Sequence, residues 1–120
     1  MDTMDECCTL APYFKIHEGQ LDAFKKICTA FVEKTSTEPK CQFYGYTFSG
    51  NEAHCREGYE DAEAVLFHLK NVGALLKDVL EISEITHFEI HGPESQLALL
   101  REHFAALNPK FFSSEVGFRR

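Results

Sequence analysis

Two histidines and a glutamate alternate along one short segment, as His87, Glu89 and His91. On a β-strand, the period of two places all three side chains on one face, opposite Phe88 and Ile90. Imidazole and carboxylate groups are ligands for zinc and other divalent metals. However, the first and last positions of such a strand motif lie about 13 Å apart. Unless a neighbouring strand completes the set, we expect no metal and interpret the motif as a polar patch at a sheet edge or subunit interface.

The cysteines and the N-terminal residues indicate the cellular compartment of the protein. The cysteines number five, an odd count, and no pair has Cys-x-x-Cys spacing; they are Cys7, Cys8, Cys28, Cys41 and Cys55. This usage predicts free thiols in a reducing environment. Residues 1–8 are acidic, lack the basic and apolar regions of a signal peptide, and are expected to be flexible. The sequence therefore predicts a cytoplasmic protein.

Length and charge limit the classes of partner. A chain of 120 residues forms one domain, so residues 1–120 are predicted to be a single unit. The formal net charge of −7 would repel a phosphate backbone or an anionic lipid surface. We expect no nucleic-acid partner and no membrane partner.

The candidate residues are carried by a regular series of elements. Alternating apolar residues predict strands at 9–17, 41–49, 52–59 and 85–91. Spacings of three and four residues predict a helix from about 19 to 36, a second that begins after Asp61 and is kinked or split at Gly73, and a third from Pro93 to Leu107. Residues 111–118 form a partly extended tail.

The order β-α-β-β-α-β is that of a ferredoxin-like subunit, an α+β fold with helices on one sheet face. Residues 9–91 form this core, and residues 92–120 add a helix and a short strand. The strand at 41–49 carries Phe43 on one face and Tyr44, Tyr46 and Phe48 on the other. An open sheet face with aromatic residues would be a large exposed apolar patch. We therefore expect a homodimer in which two sheets meet face to face.

The segment at residues 59–68, YEDAEAVLFH, resembles the signature of the antibiotic biosynthesis monooxygenase (ABM-like) domain family. That signature has an aromatic residue at the end of strand three, a turn residue, and then Ala and His on the next helix. The matching positions are Tyr59, Asp61, Ala64 and His68. The upstream HEGQLDAF resembles the family's turn into helix one, and the resemblance covers residues 9–91. It implies a dimeric α+β barrel with a pocket between sheet and helices.

The oxygenase members of this family oxidise electron-rich aromatic molecules, such as anthrones and hydroquinones, without a cofactor. The resemblance thus implies no cofactor and a small hydrophobic or aromatic partner. Such chemistry needs an apolar cavity, a proton-transfer group and a hydrogen bond to a developing oxyanion. By this resemblance the catalytic candidates are His68 and Tyr59. The candidate substrate-binding residues are Tyr44, Tyr46, Arg56 and Phe67.

These residues also have structural interpretations. His68 lies about 80° from the centre of its helix's apolar stripe, so it could reach a pocket or be a half-buried histidine bonded to a backbone carbonyl. Tyr59 could be a core residue with a satisfied hydroxyl. Phe67 faces away from the stripe, which predicts a cover from the third helix or a partner subunit. The alternative to an enzyme is a non-catalytic module of the same fold that binds a small ligand or a partner.

Overall fold

Strands with alternating apolar residues form one sheet, and amphipathic helices cover one of its faces. The structure is a computed structural model that describes residues 5–120. In chain order its elements are β1 (Cys8–Ile16), α1 (Leu21–Thr35), β2 (Cys41–Ser49), β3 (Glu52–Tyr59), α2 (Ala62–Glu81), β4 (Ser83–Gly92), α3 (Glu94–Leu100) and β5 (Lys110–Ser113), with a 3₁₀ turn at Ala105–Leu107 before β5. Residues 1–4, half of the predicted flexible N-terminus, lie outside the described residues, and Cys8 already belongs to β1.

The sheet order is β2-β3-β1-β4-β5. The first four strands pair antiparallel, whereas β5 pairs parallel with β4. This order confirms the predicted ferredoxin-like α+β fold with an additional helix and strand at the C-terminal end. The β1–β4 register shifts between Tyr13 and Phe14, directly after Pro12, whose ring removes a ladder donor.

The covered sheet face carries two apolar clusters. One cluster joins the N-terminal half of β1 to the start of α2 and to α3, through Leu10, Val65 and Leu97. The other joins the C-terminal half of β1 to α1 and the later part of α2, through Phe14, Phe24 and Val72. The region between these clusters is where the apolar packing is interrupted by polar side chains.

The opposite sheet face carries rings that no helix covers. Tyr13 packs against His54 and His87, with ring centroids 4.4 and 5.8 Å apart. His91 stacks on Phe112 at 4.7 Å. This uncovered band extends from β3 across β1 and β4 to β5.

Helix α2 begins as predicted and is not divided in two. The Asp61 side chain accepts a hydrogen bond from the Ala64 backbone N–H at 2.8 Å, which is an N-cap. The predicted split at Gly73 is wrong, because the helix continues through this residue. A mid-helix glycine costs only about 1 kcal/mol relative to alanine, and the buried Val72 and Val79 anchor both sides of Gly73.

The C-terminal addition is less regular than the sequence indicates. Helix α3 ends at Leu100, and its predicted last turn is replaced by turns and the 3₁₀ turn. Leu97, Leu100 and Phe104 nevertheless remain buried against the sheet. Among residues 5–120, no helix combines the length and apolar character needed to cross a membrane.

Candidate active site

A cavity of about 50 Å³ lies between the helices and the covered sheet face, where the two apolar clusters meet. Its polar lining comes from the side chains of Tyr44, Tyr46, Glu57 and His68. The apolar lining includes Leu10, Pro12, Phe14, Phe31, Leu69, Val72, Leu76, Ile85, Phe88, Phe104 and Leu107. A few polar groups in an apolar enclosure are typical of a small-molecule site.

His68 is held by a carboxylate from the loop after α1. It is buried, with 4% of its surface exposed, and its Nδ1 lies 2.9 Å from Glu38 Oε2. The same oxygen accepts a hydrogen bond from Asn71 Nδ2, also at 2.9 Å. Because a carboxylate only accepts, the matching tautomer carries the His68 proton on Nδ1 and leaves the Nε2 lone pair free.

The second carboxyl group lies on the Nε2 side of His68. Glu57 Oε1 is 3.7 Å from His68 Nε2 and accepts a hydrogen bond from the Tyr59 hydroxyl at 2.7 Å. Burial raises the pKa of Glu57. The positive charge of His68, when it is protonated, and the hydrogen bond from Tyr59 both lower this pKa, but burial is the larger effect. Glu57 is thus a carboxyl group whose neutral, proton-donating form is favoured by its surroundings.

Three tyrosines surround the two groups. The rings of Tyr44 and Tyr59 pack against His68 with centroids 5.3 and 5.1 Å away, and the Tyr44 and Tyr46 hydroxyls lie 2.9 Å apart. Burial raises the pKa of each of these tyrosines and of the nearby Cys55 thiol. These groups therefore remain protonated and act as hydrogen-bond partners rather than bases.

Together these residues provide a candidate proton acceptor and a candidate proton donor. His68 presents a free imidazole nitrogen, positioned from behind by Glu38, and Glu57 presents a carboxyl group with a raised pKa. A base and an acid at one cavity are the minimum for general acid–base catalysis. The arrangement of Glu38 behind His68 matches the way a third group orients the base in catalytic triads.

Four of the six predicted site residues meet at this place. His68, Tyr44 and Tyr46 line the cavity, and Tyr59 lies directly behind His68 and Glu57. The predicted bond from His68 to a backbone carbonyl is replaced by a bond to a side-chain carboxylate.

Arg56 and Phe67 do not reach the cavity. Strand alternation puts Arg56 on the uncovered sheet face, where its guanidinium carbon lies 4.5 Å from the centre of the Phe43 ring. Phe67 points outward from α2 with 55% of its surface exposed, so α3 does not cover it. Neither can contact a molecule in the cavity of the same chain.

The side chains of His87, Glu89 and His91 share one face of β4, as predicted, and it is the uncovered face. The predicted position at a sheet edge is wrong, because β4 lies between β1 and β5. The Glu89 carboxylate bridges the two imidazoles, with His87 Nε2 at 2.6 Å and His91 Nε2 at 2.9 Å. These hydrogen bonds lower the pKa of Glu89. Within residues 5–120, no set of three His, Cys, Asp or Glu side chains is placed to hold a metal ion.

Glu38, Glu57 and Asn71 are not among the residues that the sequence predicted for this site. A signal for Glu57 existed, since it alternates in phase with Cys55 and Tyr59 on the covered face of β3. Asn71 lies three residues after His68 on the same helix and so shares its face. No pattern points to Glu38, which depends on how the loop after α1 folds back.

The fold and this cavity define a ferredoxin-like α+β protein with a histidine and a carboxyl group at one buried cavity. The structure of MupZ from Pseudomonas fluorescens matches the chain with a TM-score of 0.94 and 42% identity, over 100% of this chain and 94% of MupZ. The chain belongs to the same family as MupZ. No protein-family model matches the sequence, and the comparison with curated proteins gives no match.

More distant structures share the predicted fold. A proposed antibiotic biosynthesis monooxygenase from Nitrosomonas europaea matches with a TM-score of 0.66 and 14% identity, over 77% of this chain and 94% of its own. Another from Caulobacter crescentus matches with a TM-score of 0.63 and 17% identity, over 72% of this chain and 88% of its own. The resemblance to the ABM-like family is confirmed at the level of the fold.

Proposed function

We propose that the protein catalyses acid–base chemistry on a small, largely apolar molecule. The observation that carries this proposal is the placement of His68 and Glu57 at one buried cavity, with Glu38 behind the histidine. In this proposal His68 Nε2 removes a proton from the substrate, and Glu57 donates one to a departing or developing oxygen. The buried tyrosine hydroxyls orient the substrate's oxygen atom.

The finer proposal is cofactor-independent oxygenation of an aromatic or quinol-type substrate. His68 removes a proton, and the resulting carbanion gives its electrons to dioxygen, so that a carbon–oxygen bond forms. At an activated CH₂ group the hydroperoxide then loses water to leave a carbonyl, so one oxygen atom is kept and the other leaves as water. The protonated His68 returns its proton to the peroxide anion and then removes the second C–H proton, while Glu57 protonates the departing hydroxide. Proton transfer from the His68 imidazolium to Glu57 restores both groups. The likeness in fold to proposed monooxygenases supports this version.

A second candidate uses the same two groups without oxygen. A base that faces an acid across one cavity also serves an addition, isomerisation or ring opening, in which one atom loses a proton and an oxygen gains one. The raised pKa of Glu57 favours this candidate, because a neutral carboxyl group can protonate an alkoxide as it forms.

Substrate entry requires the cavity to enlarge. Its volume of about 50 Å³ is small, since a cavity that admits benzene has ~150 Å³. Phe104 and Leu107 form part of its wall and come from the turns after α3 rather than from a long element. We expect this segment to move outward when a substrate binds.

Oxygen uptake distinguishes the candidates. With an anthrone or hydroquinone as substrate, we expect dioxygen consumption and one labelled oxygen atom in the product under ¹⁸O₂, measured by electrode and mass spectrometry. Conversion without oxygen uptake would exclude the oxygenase and favour the second candidate. Binding of such molecules with no conversion of any of them would contradict the acid–base proposal and support a non-catalytic binding module.

The proposal also includes a homodimer formed through the uncovered sheet face. Tyr13, with 42% of its surface exposed, lies at the centre of the aromatic band on that face. We expect sedimentation equilibrium to give twice the chain mass of 13.7 kDa for the wild type, and a monomer for Tyr13→Glu, because a buried unpaired charge opposes association. Val116→Glu, in the exposed tail, is the matched control and should remain dimeric. A wild-type monomer at micromolar concentration would refute the dimer.

A further inference from the structure

A second cleft, of about 190 Å³, opens between the end of α1 and the start of β2. Its lining includes Val32 and Ser36, which are exposed, and Thr35 and Glu38, which are buried. It therefore has a mouth open to solvent and a buried polar floor. Glu38 connects this floor to the candidate active site, because its Oε2 atom lies 2.9 Å from His68 Nδ1.

Two buried oxygen atoms on this floor have no hydrogen-bond partner among residues 5–120. In the described part of the chain, the buried side-chain polar atoms in this condition are Thr35 Oγ1 and Glu38 Oε1. Thr35 and Glu38 are 2% and 5% exposed. An unpaired buried polar atom is costly, and far more so when it belongs to a carboxylate. A roomy polar cleft with such atoms is a place where water binds.

We infer that this cleft holds water molecules that bind Glu38 Oε1 and Thr35 Oγ1 and exchange protons between solvent and His68. The route runs from the mouth at Ser36, through water on the floor, to the Glu38 carboxylate and His68 Nδ1. This inference deepens the proposed function, since His68 that has taken a substrate proton at Nε2 is an imidazolium, whose Nδ1 proton can leave through Glu38. When Nε2 then passes its proton to Glu57, Nδ1 is reprotonated by the same route and the starting tautomer is restored. Substrate and protons then take different routes: substrate enters the cavity past Phe104 and Leu107, and protons pass through the cleft at Glu38.

The exchange itself conserves charge. In one event the Glu57 carboxyl group gives its proton to His68 Nε2 while the Nδ1 proton moves to the Glu38 carboxylate and then to water. A proton from water then returns through Glu38 to Nδ1, and the Nε2 proton returns to Glu57. Glu38 is a carboxylate before and after the event, and no bond to carbon forms or breaks. The 2.9 Å distance between His68 Nδ1 and Glu38 Oε2 is that of a direct hydrogen bond, through which such a transfer can occur.

The exchange rate of the His68 ring N–H with water tests this route in the free protein. ¹⁵N-histidine-labelled protein gives the rate by NMR, without any substrate. Thr35→Val removes one water ligand, and Val32→Phe fills the mouth from an exposed position. Each is expected to slow the exchange about tenfold, the factor that corresponds to one lost hydrogen bond. Thr29→Val is the matched control, because Thr29 lies on the same helix and its exposed hydroxyl bonds the Lys25 carbonyl.

An unchanged exchange rate of the His68 ring N–H in both cleft variants, with folding verified by the NMR spectrum, would overturn the inference. It would mean that the proton exchanges with solvent through the cavity instead. A crystal structure of the wild type provides a second measurement. Water within hydrogen-bond distance of Glu38 Oε1 is expected, and a dry cleft would also overturn the inference. Neither measurement depends on turnover. A failure of the proton route can therefore be distinguished from a failure of the proposed function.

Discussion

Replacing His68 with glutamine should lower turnover of the proposed substrate about 10²–10⁴-fold, the range expected when a general base is removed. Glutamine keeps a hydrogen-bonding side chain at this buried position, where its amide can still donate to Glu38. It cannot accept a proton on the side of Glu57. The loss is therefore expected in kcat, with a smaller change in KM, because the base acts in the transition state rather than in ground-state binding.

His17→Gln is the control for this measurement. His17 is exposed in the turn between β1 and α1, so the same substitution there should leave both kinetic constants unchanged. Circular dichroism of His68→Gln checks that the fold is intact. Equal turnover in the wild type and His68→Gln, measured as product formed per minute, would remove the histidine from the mechanism.

Most of the strands and helices were predictable because residues close together in the sequence determine where each begins and ends. The bounds of β2 and β3 follow from turn residues and alternation, and the start of α2 follows from Asp61, whose carboxylate caps the first turn. The predictions failed where tertiary packing outweighed a local preference. Gly73 does not interrupt α2, and α3 ends early although its later residue Phe104 stays buried.

The candidate site was predictable in part. The resemblance to the ABM-like family led to His68 and Tyr59, whereas periodicity placed His68 only on the flank of its helix's apolar stripe. Arg56 was misplaced although alternation puts it opposite Cys55 and Glu57. Glu38 could not be anticipated, because its contact with His68 joins residues 30 apart in sequence through a loop. The resemblance thus led to part of the cavity wall, and only the folded chain shows the carboxylate that orients His68.

The raised pKa of Glu57 also has a consequence for stability that needs no substrate. Burial favours the neutral form in the folded chain, whereas in the unfolded chain the carboxyl group titrates near its ordinary pKa of 4.5. As pH rises above that value, the unfolded chain releases its proton before the folded chain does. The folded state then binds more protons than the unfolded state, so the free energy of unfolding falls with rising pH. The stabilising contribution is full at lower pH and is lost as pH rises toward the folded-state pKa.

Glu57→Gln should remove this dependence. Glutamine keeps an oxygen that accepts the Tyr59 hydroxyl bond but has no proton to lose. We expect the variant to become progressively more stable than the wild type above pH 4.5, by up to about 1.4 kcal/mol per pH unit, the limit for one proton. Urea unfolding at several pH values from 4 upward measures the difference. Glu52→Gln, at an exposed position on the same strand, should follow the wild-type curve. Parallel curves for Glu57→Gln and the wild type would mean that Glu57 is ionised in the folded protein, and His68 would then face a carboxylate rather than an acid.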